Sequence, residues 1–112
     1  MKLTITRNQS KKLLGGTNFE LTAKVTLTGE EEALVKKYKA DKEVLMEKEV
    51  TFFGKPLVLT ITAGNLISGE TYSCNNIAEI LGYEENIIES CKIFKSYIQA
   101  MEQFGGEEVI EI

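Results

Sequence analysis

Histidine and tryptophan are absent from the 112 residues, proline occurs once and cysteine twice. Without histidine there is no His-dependent triad, no His-ligated zinc and no His-ligated haem, since that side chain is the commonest general acid or base and a leading metal ligand. The two thiols, Cys74 and Cys91, are too few for a four-thiolate zinc site or an iron–sulfur cluster. They lie too far apart for the two-residue spacing of a redox motif, and they read as reduced thiols of a cytoplasmic protein. No run of 18 apolar residues occurs, so no helix is expected to span a membrane. Residues 1–7 alternate apolar with polar, unlike the continuous apolar stretch of a secretory signal, and a cytosolic location is expected.

Other ligand-binding patterns are missing too. The glycine pairs at 15–16 and 105–106 lack the Lys-Ser/Thr of a phosphate loop and the three-glycine dinucleotide fingerprint, and they read as turns. The carboxylate clusters Glu30, Glu31, Glu32 and Glu107, Glu108 lack the alternating oxygen ligands and central glycine of a calcium loop. No catalytic residue, cofactor or metal site is expected, and the chain reads as a non-enzyme.

What is present is enough for a folded domain. Hydrophobic residues make up 43% of the chain, and a chain of this length buries roughly two-thirds of its unfolded surface. No repeat or linker interrupts residues 1–112, which read as a single domain. Charge is uneven. Residues 1–56 hold 11 Lys and Arg against 8 Asp and Glu, a net +3, whereas residues 57–112 hold 2 against 9, a net −7. The halves are therefore suited to attract each other, and the acidic balance disfavours sequence-independent nucleic-acid binding.

The clearest element is residues 19–28, apolar at every odd position and polar at every even one, as in a half-buried strand. Residues 2–6 repeat the alternation, and residues 8–18 read as a long hairpin connection. Thr28 followed by Glu31 forms a capping box and predicts a helix over about 30–39. Leu34, Val35 and Tyr38 form its apolar stripe, and Glu32 and Lys36 make an i,i+4 pair. Val44, Met46, Val50 and Phe52, then Leu57, Leu59 and Ile61 around Gly54-Lys55-Pro56, predict a second hairpin. A short strand at 70–73 follows. Asn75 or Asn76 caps a short helix to Leu81, a longer helix runs over about 84–104, and Val109, Ile110 and Ile112 read as a last strand. The sum is an α+β domain of two layers, a largely antiparallel sheet with helices packed on one face, in the order β-β-α-β-β-(β)-α-α-β.

Two regions bear on function. Residues 77–91, with Ala78 at a close approach, Gly82 at the turn and Ile77, Leu81, Ile88 and Cys91 as the packing residues, resemble a DNA-binding helix-turn-helix unit. DNA binding through these residues is the alternative functional reading, opposed by Glu84, Glu85 and Glu89 where phosphates would approach. Cys74 precedes a helix start, where a thiol can be activated. The last helix carries an unusually wide apolar arc. Ile87, Cys91, Phe94, Ile98 and Met101 form one stripe, and Ile93, Tyr97, Ala100 and Phe104 form a second beside it, together spanning roughly 180° at about 100° per residue. The first helix is one candidate cover for the second stripe. The other is a partner, and Ile93, Tyr97 and Phe104 are the candidate contact residues of a small protein that acts through protein–protein contacts, as a homo-oligomer or an accessory subunit.

Overall fold

A computed structural model describes residues 1–52 and 54–112. Its strands are β1 (Lys2–Lys11), β2 (Thr17–Thr26), β3 (Val44–Phe52), β4 (Lys55–Thr62) and β5 (Glu70–Cys74). Its helices are α1 (Gly29–Tyr38), α2 (Ala63–Ser68) and α3 (Ile77–Gln103), with a 3-10 turn at Ala40–Lys42. The expected α+β class is the one observed, with antiparallel pairing throughout.

The alternation in β2 sets the core. Leu21, Ala23 and Val25 are buried while Lys24 and Thr26 face solvent. Against this face lies α3, whose buried residues Ile80, Tyr83, Ile87, Ser90, Phe94 and Ile98 recur every three or four positions. Val35 of α1, Leu45 of β3, Ile61 of β4, Leu66 of α2 and Cys74 of β5 join the same cluster, with Leu3 and Ile5 of β1 half-buried beside it. Thr28 caps α1 as its sequence predicts: the Glu31 N–H donates to Thr28 Oγ1 at 3.2 Å, and the Thr28 N–H donates to Glu31 Oε1 at 2.9 Å.

Several finer features differ from expectation. The strands form two sheets, β1-β2-β5 and β3-β4, instead of one. A bulge between Val44 and Met46 inverts the phase of β3, so Leu45 enters the core and Val44 is exposed. Residues 63–68 form the helix α2, capped reciprocally by Thr62 and Asn65. The two helices expected after Asn76 are one helix of 27 residues, and residues 109–112 form no strand. The connection expected over 8–18 is mostly strand, because β1 and β2 pair continuously from Lys2–Thr26 to Lys11–Thr17.

That last difference shapes the molecule. β5 pairs with β2 only from Phe19 to Ala23, so the outer half of the β1–β2 hairpin continues as an arm with residues 8–16 all exposed. The β3–β4 hairpin forms a separate two-stranded sheet that lies along α3. It is anchored by Phe52, whose ring meets Tyr72 of β5 edge-on at 4.6 Å, and Tyr72 in turn lies 5.1 Å from Tyr83 of α3. The result measures 64 × 34 × 19 Å with a radius of gyration of 17.3 Å.

Candidate interaction surface

The three candidate contact residues follow one flank of α3 but have different environments. Ile93 is half-buried and packs on the core, Tyr97 is 39% exposed, and Phe104, at the residue that ends the helix, is 88% exposed. α1 covers this flank in part. Its Val35 is buried and its Leu34 half-buried, yet Tyr38 remains 46% exposed. Tyr38 and Tyr97 thus face a common groove of about 460 Å³ with Ala40, Ala100, Met101 and the charged Glu43. Two phenol rings on a mostly apolar floor suit a protein partner, since each offers a large apolar area with a polar tip.

Further exposed apolar residues lie where periodicity did not point. Leu13 and Leu14 are fully exposed at the tip of the first arm, between Lys11-Lys12 and Gly15-Gly16. The turn there is held by Lys12 N–H to Gly16 O at 3.0 Å and Gly15 N–H to Lys12 O at 3.1 Å. An apolar pair placed inside a glycine turn was the available signal, because such a turn has no core to enter. On β4 Leu57 and Val58 are both more than half exposed.

The helix-turn-helix arrangement is not formed. Residues 77–91 lie within the single helix α3, whose start is capped by Asn76 Oδ1 accepting from the N–H groups of Ala78 at 2.9 Å and Glu79 at 3.3 Å. Gly82 has helical backbone rather than the positive φ of a turn. The cost of one glycine inside a helix, about 1 kcal/mol, is outweighed by the burial of Ile80, Tyr83 and Ile87 around it. Ile77 and Leu81, expected to pack between two helices, are half-exposed beside Phe19 and the first arm. Arg7 of that arm closes on the helix with its Nε 2.6 Å from Glu84 Oε1, joining the basic and acidic halves of the chain.

Cys74 is not poised for chemistry. Its side chain is 3% exposed and its Sγ donates to the Asn76 carbonyl at 3.3 Å, while the helix-start donors are taken by Asn76 itself. Both cysteines are free thiols, and burial pushes the Cys91 thiol up. Tyr83 is likewise buried and Tyr72 half-buried. Burial, aided by the charge of Glu70, pushes Tyr83 up to about 12. Burial and the hydrogen bond that Tyr72 donates to Glu79 Oε2 at 3.1 Å raise Tyr72 as well. Such phenols stay protonated and serve as packing and hydrogen-bond donors.

A groove of about 440 Å³ between β3 and α3 exists because Ala78 and Gly82 put almost no side chain there. Among the described residues no group of three or more Cys, Asp or Glu is placed to hold a metal ion. Among the described residues no helix is long and apolar enough to cross a membrane. Comparison with protein-family models, with curated proteins and with solved structures finds no match to this chain.

Proposed function

We propose that this is a non-enzymatic cytoplasmic protein that acts through contacts with other protein chains, copies of itself first among them. The observation that carries the proposal is its shape. A chain of 112 residues that packs as a compact body has a radius of gyration of roughly 13 Å, against 17.3 Å here. The β1–β2 hairpin arm contributes to that length and places Leu13 and Leu14 in solvent, and the β3–β4 sheet leaves Leu57 and Val58 more than half exposed. An isolated two-stranded arm gains little stability by itself, and it is retained at least cost where a neighbour covers it. The Tyr38–Tyr97 groove and Phe104 add a third apolar region on the body.

Sedimentation velocity and light scattering over a wide concentration range test this reading. Self-association is expected, weakened by Tyr97→Glu and by Leu13→Ser with Leu14→Ser, without loss of folded stability. A monomer at every concentration, with Tyr97→Glu leaving both stability and partner capture unchanged, overturns it.

A further inference from the structure

We infer that residues 107–112 are a strand donated to a second copy of this chain, pairing with the outer edge of β1. This inference rests on the interaction reading above and names its partner. The segment reads Glu107-Glu108-Val109-Ile110-Glu111-Ile112, in which Val109, Ile110 and Ile112 are β-branched strand formers. It follows Gly105 and Gly106, both at positive φ, and forms no helix or strand with its own body. Val109, Ile110 and Ile112 are each more than two-thirds exposed. A stretch of this kind, held off its own core, lacks only a ladder to join.

β1 offers such a ladder. It ends the three-stranded sheet, so one of its edges is unpaired in the order β1-β2-β5. It carries Lys2, Arg7 and Lys11 and no acid, with Lys12 following. Like-charged edges of two β1 strands repel, which blocks edge-to-edge stacking, whereas residues 107–112 bring three carboxylates and no cation.

Side-chain parity, apolar pairing and charge pairing together select one antiparallel register. Setting Ile112 opposite Leu3 places Ile110 opposite Ile5 and Glu108 opposite Arg7. The two isoleucines then extend the half-buried Leu3 and Ile5 face of the sheet, and opposite charges meet across the strands. Arg7 is 60% exposed although it already engages Glu84, so it has donors left for a second carboxylate.

The route within one chain is unfavourable. Glu84 lies beside Arg7, and Gln103, where α3 ends, is 19 residues further along the helix, about 28 Å of rise. To start the ladder at Asn8, residues 104–107 would have to retrace most of that rise, yet four extended residues span at most about 14 Å. A second copy meets no such limit, and two copies exchanging strands satisfy each other around a two-fold axis.

The test mixes full-length Ile5→Cys with full-length Ile110→Cys under mild oxidation and measures the dimer constant of Ile110→Lys by sedimentation equilibrium. Residues directly opposite in an antiparallel pair have Cα atoms about 4.5–5.5 Å apart, within disulfide range. A disulfide between the two chains is expected, at least tenfold more efficient than Ile5→Cys with Val109→Cys, together with at least tenfold weaker dimerisation of Ile110→Lys. If the wild type associates but Ile110→Lys associates equally well and no disulfide forms, the strand donation is wrong and the interaction reading stands. Ring closure within the doubly substituted chain at high dilution also overturns donation between copies. A monomer at every concentration removes the self-association on which both rest.

Discussion

Replacing Gly82 by alanine separates a helix interior from a helix-turn-helix turn by the sign of one stability change. Within α3, Gly82 has ordinary helical backbone, and a Cβ built on it finds no atom within 4 Å. The methyl enters the open groove between β3 and α3, so no repacking offsets the gain in helix propensity. That gain is about 0.8–1.0 kcal/mol. With an unfolding entropy of about 2.1 cal/mol/K per residue, a chain of 112 residues has roughly 0.24 kcal/mol/K, and Tm rises by about 4 °C. Gly64 in α2 supplies the internal control. A Cβ there lies 3.0 Å from the backbone carbonyl oxygen of Asp41. Backbone cannot yield as a flexible side chain does, so Gly64→Ala is expected to lose about 1 kcal/mol net despite the same propensity gain. Urea unfolding monitored by circular dichroism measures both variants. A loss of 1 kcal/mol or more for Gly82→Ala refutes the continuous helix, because only a left-handed turn at that position penalises a Cβ so heavily.

Glu31→Gln should show a pH-dependent cost. Burial alone would raise this carboxyl, but the amino group of Met1 at 2.8 Å and the Thr28 donors outweigh it and hold the pKa below the ordinary carboxylate value. A depressed folded pKa stabilises above the unfolded value of about 4.3 and is lost as pH falls through the folded one. The variant should therefore lose about 1 kcal/mol in urea titrations at pH 7, with the gap closing near pH 3; an equal gap at both pH values contradicts the assignment. Alkylation should reach Cys91, which is half-buried, before Cys74, which is 3% exposed. In denaturant the two should react alike, and a Cys74 rate above that of a free cysteine in the folded protein would restore a chemical role for it.

Elements whose stability is local were legible in the sequence. The odd-position apolar residues of β2, the Thr28–Glu31 capping box, the second hairpin and the 70–74 strand depend on periodicity or on contacts within four residues, and each appears where its pattern lies. Of the candidate surface, the stripe bearing Ile93, Tyr97 and Phe104 was legible as helical spacing. Its graded exposure was not, since that depends on how far α1 reaches across α3. The exposed pairs Leu13–Leu14 and Ile77–Leu81 were misplaced or unmarked for the same reason.

By itself the sequence determined an α+β domain without histidine chemistry, its alternating strands, its capped first helix and its opposed charge halves. Only the tertiary structure decided that Gly82 stays within one helix, that the strands divide into two sheets and that the first hairpin projects as an arm. It also decided that residues 107–112 pair with nothing in their own sheet. Local pattern specifies which face of an element is apolar, whereas the identity of what covers that face is a long-range choice. Here Leu21, Phe94 and Ile98 find cover within the chain, and Leu13, Phe104 and Ile110 do not.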